Sequence, residues 1–254
     1  MAGRRRTPAV AAVALLAAAA VLAVTLRPGD DTRRAGSGPA RTQVERLPPP
    51  PDADRPLHGP LGARLLRPVV LRDRPGGRML RLLGRRTEFG SKRVLAVVGQ
   101  RSGWLAVLTH HLPNSRAGWI PADGAQLLFE PYTLHVDLSA RRLVVRHRGR
   151  VARRIAVAIG RRGAATPTGR FAITDTLVTR RAGSPYGCCA LALSGRQPNI
   201  VQGWTGGDRL AIHGTPAEHT VGTRATSGCL RARRADMRWL VARVPLGAPV
   251  RIRA

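Results

Sequence analysis

Beyond residue 60 the chain keeps its apolar residues in short runs: "PVVLR", "RVLAVV", "WLAVL" and "GWIP", then "YTLHVDL", "RLVVRH" and "RIAVAIG", then "GRFAITDT", "CALALS" and "RLAIHG". Turn signals such as "RPGG", "EFGS" and "LPNSRAG" interrupt the first group. Runs of this length between glycine, proline and asparagine build sheets, not helix bundles. In "YTLHVDL", Leu134, Val136 and Leu138 alternate with His135 and Asp137. One face of that strand is apolar, and the other, His135 included, belongs to water. A single helix is legible: Met237, Leu240, Val241 and Val244 fall at i, i+3, i+4 and i+7, and Pro245 and Gly247 stop it. "APVRIRA" then supplies a last strand. The chain reads as mainly β, largely antiparallel, with one helix laid against the sheet.

Two segments precede this pattern. Arg4, Arg5 and Arg6 stand before an uncharged stretch from Pro8 to Leu26, whose 19 residues exceed a usual signal-peptide core and just reach spanning length. Residues 1–27 are expected to be an uncleaved membrane anchor with its arginines in the cytoplasm; a cleaved signal peptide is the alternative. Residues 28–60 carry eight prolines, including "LPPPPDADRP", and read as an extended linker that cannot pack a core. Either reading places the remainder in the cell envelope, outside the cytoplasm. Residues 61–130 are expected to close into a small barrel, and residues 131–254 to form a second domain. In the first of these, His110 and His111 read as part of a solvated turn.

The formal charge is +29, and every basic residue except Lys92 is an arginine. The arginines are spread along the chain and aromatics are only 4%, so the basic, aromatic-laced clusters of a nucleic-acid surface are absent. No nucleic-acid partner is expected. The charge fits a compositional habit or attraction to an anionic surface.

Cysteines occur at 188, 189 and 229. An odd number leaves at least one thiol unpaired. Adjacent cysteines rarely bridge each other, so Cys188 or Cys189 could pair with Cys229. Cys189, in "CCALALS", otherwise reads as an inert core thiol.

A chemical reading centres on His213 and Cys229, 16 positions apart. A thiol with an ordinary pKa of about 8.5 is mostly protonated at neutral pH and needs a base or a cation beside it to act as a nucleophile. His213 ends the run "RLAIHG", and Gly214 lets the chain turn away after it. Cys229 follows Gly228, which would let backbone N–H groups approach a reacting carbonyl and hold an oxyanion. Arg231 adds positive potential, either lowering the thiol's pKa or holding a substrate carboxylate. A zinc set of His213, His219, Cys229 and Cys188 lacks the close paired spacing of such sites. Neither metal nor organic cofactor is expected.

The stretch "IHGT", a polar loop and then "TSGCLR" resembles the L,D-transpeptidase catalytic domain, or YkuD domain. "ATPTGRFAI" and "YTLHVDLSARRLVV" are similar to two further segments of that family, so the resemblance covers Tyr132 to Ala254. Trp104 and the Gly118–Trp119 pair give the preceding segment a weaker resemblance to bacterial SH3-like domains. The resemblance implies a YkuD-like β-sandwich with a C-terminal helix, acting on peptidoglycan stem peptides. By it, Cys229 would attack the carbonyl of the stem's third residue and release the terminal D-alanine. His213 would move the proton, and the Gly214 carbonyl would orient the imidazole. A neighbouring amine would then capture the acyl group as a 3→3 cross-link, or water would, as in a carboxypeptidase. The family most often has histidine where this chain has Ser227, which keeps a short polar group and a backbone N–H for the oxyanion. His219 reads as a surface histidine. Papain-like peptidases place cysteine before histidine; here the order is reversed. The alternative is a catalytically degenerate protein that binds peptidoglycan. A monomer is expected.

Overall fold

The computed structural model describes residues 59–179, 183–199 and 207–254. The expected anchor and nearly all of the linker lie outside those residues.

Seven strands make the first sheet: β1 (Leu61–Leu65), β2 (Val69–Arg72), β3 (Met79–Leu83), β4 (Val94–Arg101), β5 (Trp104–Leu108), β6 (Ala117–Pro121) and β7 (Ala125–Phe129). Their order is β3-β2-β6-β5-β4-β1-β7, with every neighbouring pair antiparallel. Leu71, Leu83, Leu105, Val107 and Ile120 form its buried core.

The rest of the chain adds β8 (Tyr132–Asp137), β9 (Arg142–His147), β10 (Arg150–Ala156), β11 (Ile159–Gly160), β12 (Gly169–Val178), β13 (Cys189–Arg196), β14 (Arg209–His213), β15 (Arg224–Thr226) and β16 (Leu230–Arg231). The helix α1 (Arg234–Val241) and β17 (Pro249–Arg253) follow. Eight of these strands form a second sheet in the order β10-β9-β8-β17-β12-β13-β14-β16, while β11 and β15 pair separately. The last strand enters the middle of the sheet, parallel to β8, so the C-terminus locks the first hairpin to the strands that carry the site. The alternation read in "YTLHVDL" is present: Leu134 and Val136 are buried and His135 is exposed. Phe171, Ile173, Leu191 and Leu193 fill the core beneath them.

Helix α1 packs Met237 and Leu240 onto this core. It ends at Val241, one turn short of the apolar stripe; Val244 is still buried, its N–H bonded to the Leu240 carbonyl at 2.8 Å. Outside, Trp239 lies between the guanidinium groups of Arg153 and Arg243, at 5.3 and 5.0 Å from its ring centre. Arg153 also pairs with Asp236 at 2.7 Å.

Polar bonds join the two sheets, and both fall within one compact unit. Asn114 donates to the Arg196 carbonyl at 2.7 Å and accepts from its N–H at 2.8 Å. Ser115 accepts from the Arg170 N–H at 2.9 Å. Thr87 bonds Asp175, and Glu88 pairs with Arg209 and, at 3.3 Å, with His110. This junction corrects the reading of His110 and His111 as a solvated turn. His110 is buried between the sheets, its pKa pushed down to about 2, first by burial and then by Arg209. His111 is lowered to about 4, again chiefly by burial. The apolar strands facing this loop come from both halves of the chain, which a local reading does not see.

The cysteine expectation is corrected too. Cys188 and Cys189 are joined to each other, and Cys229 is free. Strand β14 stands between β13, which Cys189 opens, and β16, which follows Cys229, so the third cysteine is kept apart from the pair.

Glu130, between the two sheets, is buried, and its Oε2 has no hydrogen-bond partner among the described residues. Burial raises its pKa from 4.5 to about 7. The folded chain therefore holds a proton that the unfolded chain releases between about pH 4.5 and 7, and stability from this group is lost as pH rises through that window. Glu130→Gln is expected to remove the slope and to leave the protein about 1–2 kcal/mol more stable at pH 8. Urea unfolding of both proteins at pH 5 and pH 8 checks it; an equal gain at both pH values would contradict the assignment.

Candidate active site

Strand β16 runs parallel to β14, with Ile212 opposite Leu230 and His213 opposite Arg231. Ile212 and Leu230 both point into the core. Alternation then puts His213, Arg231 and Cys229, the residue before Leu230, on the other face. Cys229 and His213 are diagonal neighbours across two strands, and the sheet sets their relative position.

The loop that carries the thiol is clamped on two sides. β11 pairs with β15, Gly160 opposite Thr226, and Ala158 and Arg231 exchange both backbone bonds at 2.8 and 3.0 Å. Inside the loop, the buried Thr226 hydroxyl donates to the Cys229 carbonyl at 2.7 Å and accepts the Gly228 N–H at 3.0 Å. The Gly228 N–H is thus already engaged, and the Cys229 N–H is the donor left beside the sulfur. Gly228 has φ +117°, and a Cβ there would lie 2.1 Å from the Gln197 amide nitrogen. That amide, fully buried, donates toward the carbonyls of Ala165, Ser227 and Ala164 at 2.9, 3.2 and 3.3 Å. Gln197 ties the thiol loop to the turn before β12.

His213 is buried, and its Nδ1–H donates to the Gly214 carbonyl at 2.6 Å, leaving Nε2 as the basic nitrogen. The Tyr186 ring stands edge-on to the imidazole, centroids 5.0 Å apart. Burial lowers the His213 pKa to about 4; the Gly214 bond opposes that shift and Arg231 adds to it. The imidazole is therefore neutral at pH 7. Burial also pushes the Cys229 thiol up, and this outweighs the opposing pull of a backbone bond to Ala211 and of Arg231. Arg231 does pull the thiol's pKa down, as expected from sequence, but burial outweighs it. At rest the thiol donates to the Arg209 carbonyl at 3.8 Å, and no hydrogen bond joins it to His213.

Arg231 has a buried Nε with no partner among the described residues and a long contact, 3.4 Å, from Nη1 to the Ala225 carbonyl. Ser227 offers its hydroxyl oxygen to Arg161 at 2.8 Å. His219 lies apart, in a short 3-10 turn (Glu218–Thr220). A cavity of about 560 Å³ is lined by Gly187, Cys189, Thr215, Glu218, Arg234 and Arg238, and neither His213 nor Cys229 lines it. Among the described residues, no group of three or more His, Cys, Asp or Glu could hold a metal ion. Gln197 and Tyr186 were not readable as site residues from sequence, because each acts on partners distant in the chain, whereas Thr226 belongs to the quoted motif and bonds within it.

Residues 131–252 match the family of L,D-transpeptidase catalytic domains, YkuD. Proteins bearing the name L,D-transpeptidase YkuD from Bacillus subtilis (strain 168) and Bacillus licheniformis are each 30% identical over 122 residues, 48% of this chain and 66% of theirs. The chain thus spans just under two thirds of those curated relatives. The crystal structure of L,D-transpeptidase 3 from Mycobacterium tuberculosis, in complex with a faropenem-derived adduct, aligns at a TM-score of 0.41 and 16% identity, over 54% of this chain and 73% of that one.

Proposed function

We propose that residues 131–252, a catalytic domain of the L,D-transpeptidase (YkuD) family, make this chain a peptidoglycan L,D-transpeptidase with Cys229 as nucleophile and His213 as base. One observation carries the reading: a neutral imidazole, fixed through Nδ1 on the Gly214 carbonyl, shares a sheet face with the chain's free thiol. Such a pair needs no preformed ion pair. The thiol stays protonated until substrate arrives, and its proton moves to His213 Nε2 as sulfur attacks.

In the first half-reaction, Cys229 Sγ turns from the Arg209 carbonyl and bonds to the carbonyl carbon of the stem's third residue. The oxyanion meets the Cys229 N–H. The C–N bond to the terminal D-alanine breaks, its amine takes the proton from His213, and a thioester remains. In the second, the amine of a neighbouring stem gives a proton to His213 and attacks the thioester. A new amide forms, and the thiol leaves with the proton. Water in place of the amine makes the reaction a carboxypeptidase's. Arg231, with its unpartnered Nε, would hold a carboxylate of the stem. An N-terminal membrane anchor and an extracytoplasmic location suit this substrate and form part of the proposal.

The test is intact mass after exposure to a carbapenem, a strained acyl donor. An adduct mapped to Cys229 is the expected outcome; no adduct on folded protein would favour the degenerate, peptidoglycan-binding reading. Its pH dependence adds a second check. His213 accepts a proton only when neutral, so the acylation rate should hold level through neutral pH and fall as pH drops toward about 4. A rate climbing tenfold per pH unit through neutrality would instead mean that free thiolate reacts without the histidine.

A further inference from the structure

The outer face of the second sheet carries a charge pattern that catalysis does not use. Its inner face is fully apolar, with Leu134, Val136, Leu143, Val145, Val250 and Ile252 buried. The outward positions between them hold Arg142, Arg146, Arg154, Arg170, Arg251 and Arg253, all exposed. Register aligns them. Arg170 is opposite Arg251, Arg251 opposite His135, His135 opposite Val144, and Val144 opposite Arg154, one straight row across β12, β17, β8, β9 and β10. Arg142, Arg146 and Arg253 flank that row.

Neutralisation on this face is slight. Asp137 is the one acidic residue among those positions, and it is already engaged by the Ala140 N–H, Ser139 and Arg253 at 2.9, 2.7 and 2.7 Å. Arg146 bonds the Gly149 carbonyl at 2.9 Å. The side chains of Arg142, Arg154, Arg170 and Arg251 make no hydrogen bond or ion pair to another described residue. Burial first, then Arg146, Arg251 and Arg253, hold His135 below its ordinary pKa, which fits a field that repels added protons. Between the arginines lies a depression of about 500 Å³, walled by His135, Arg142, Val144, Arg146, Arg251 and Arg253.

We infer that this face binds a linear phosphate polymer, a chain with one anionic phosphate per short repeat. Guanidinium groups take phosphate oxygens in pairs, a geometry that ammonium does not offer. Positions two apart on a strand lie about 6.7 Å from each other and neighbouring strands about 4.8 Å, so an extended polyanion laid across the row meets Arg170 and Arg251 on adjacent strands and Arg154 at the far end, with Arg142, Arg146 and Arg253 beside the stretch between them. No Phe, Tyr or Trp stands among the outward positions of the row and its flanks, so the face lacks the stacking platform on which single-stranded nucleic acid is held. The same lack of bulky apolar groups leaves nothing to insert into a lipid surface.

The test is fluorescence anisotropy of labelled long-chain inorganic polyphosphate with the full chain, at several salt concentrations. The wild type should bind, more weakly as salt rises. The triple variant R146Q/R154Q/R251Q should bind about tenfold less tightly and should acylate at the wild-type rate, which also reports its folding. R78Q/R101Q/R116Q, which removes the same charge from exposed sites elsewhere, should stay within about twofold of wild type. Equal losses in both triples would overturn the proposal in favour of net charge alone. Equal affinity for poly-L-glutamate would overturn the preference for phosphate, and capture by phosphatidylglycerol vesicles without polyphosphate binding would assign the face to a membrane. Should the triple fail to fold, R154Q and R251Q singly must each weaken polyphosphate binding, and unchanged affinity in both refutes the site.

Discussion

Cys229→Ala is expected to leave the fold intact and to abolish both the carbapenem adduct and turnover of stem tetrapeptides. The structural cost is small because the thiol makes only weak bonds, a 3.8 Å contact to the Arg209 carbonyl and one to the Ala211 backbone. Removing one sulfur atom from a partly buried position costs about 1 kcal/mol. The chemical cost is complete, since no other thiol can take its place. Cys188 and Cys189 are tied to each other and lie beyond β14. His213 and Arg231 remain in register, so substrate should still bind, and the variant should retain a stem tetrapeptide that it cannot open. Mass spectrometry, a hydrolysis assay and thermal unfolding on one preparation check all three parts. Residual turnover in the variant would end the proposed mechanism. Loss of folding would show instead that the thiol has a structural role the contacts do not reveal.

The elements that could be read from sequence are those whose signal is local. Strand β8 shows its two faces in six residues, and β5 and β14 are short apolar runs next to turns. By contrast β1, β3 and β7, "LGARL", "MLRLL" and "AQLLF", are strands by virtue of their neighbours. Leu82 and Phe129 even stay exposed, so no apolar rhythm marks them. Helix α1 was visible as a stripe; its regular turns end at Val241, while a last turn of hydrogen bonds and burial continue to Val244. The thiol motif is local as well: glycine, cysteine and the residues beside them sit together in the chain. What surrounds it is not. Gln197 lies in "SGRQPNI", polar and turn-like, and its amide matters because folding brings Ala164, Ala165 and Ser227 to it. His110 looks like a loop histidine until Glu88 and Arg209 close over it. Electrostatic sign follows the same division. Arg231 could be counted from sequence, but the burial that outweighs it at Cys229 could not.

The position of His213 depends on a residue that touches neither reactant, and Gly187→Ala should expose that dependence. Gly187 has φ +63°, and a Cβ placed there would lie 2.6 Å from the Gly214 carbonyl carbon and 2.6 Å from the Thr215 nitrogen. Both are backbone atoms, so no side-chain rotation relieves the contact. The left-handed conformation alone costs alanine about 1 kcal/mol, and the overlap must be met by moving the Gly214–Thr215 backbone. That backbone carries the carbonyl which fixes Nδ1 of His213 at 2.6 Å. A displacement near 1 Å at a catalytic group lowers rate by about a hundredfold, and acylation of Cys229 should fall by that order. The loss should appear in the acylation rate far more than in affinity, because Arg231 and the thiol loop are held from the opposite side by β11 and by Gln197. Freed from its carbonyl, the imidazole should also titrate differently, so the acid limb of the rate profile should move away from about 4. An alanine variant with wild-type acylation and an unmoved acid limb would show that the Gly214 carbonyl does not set the histidine's orientation.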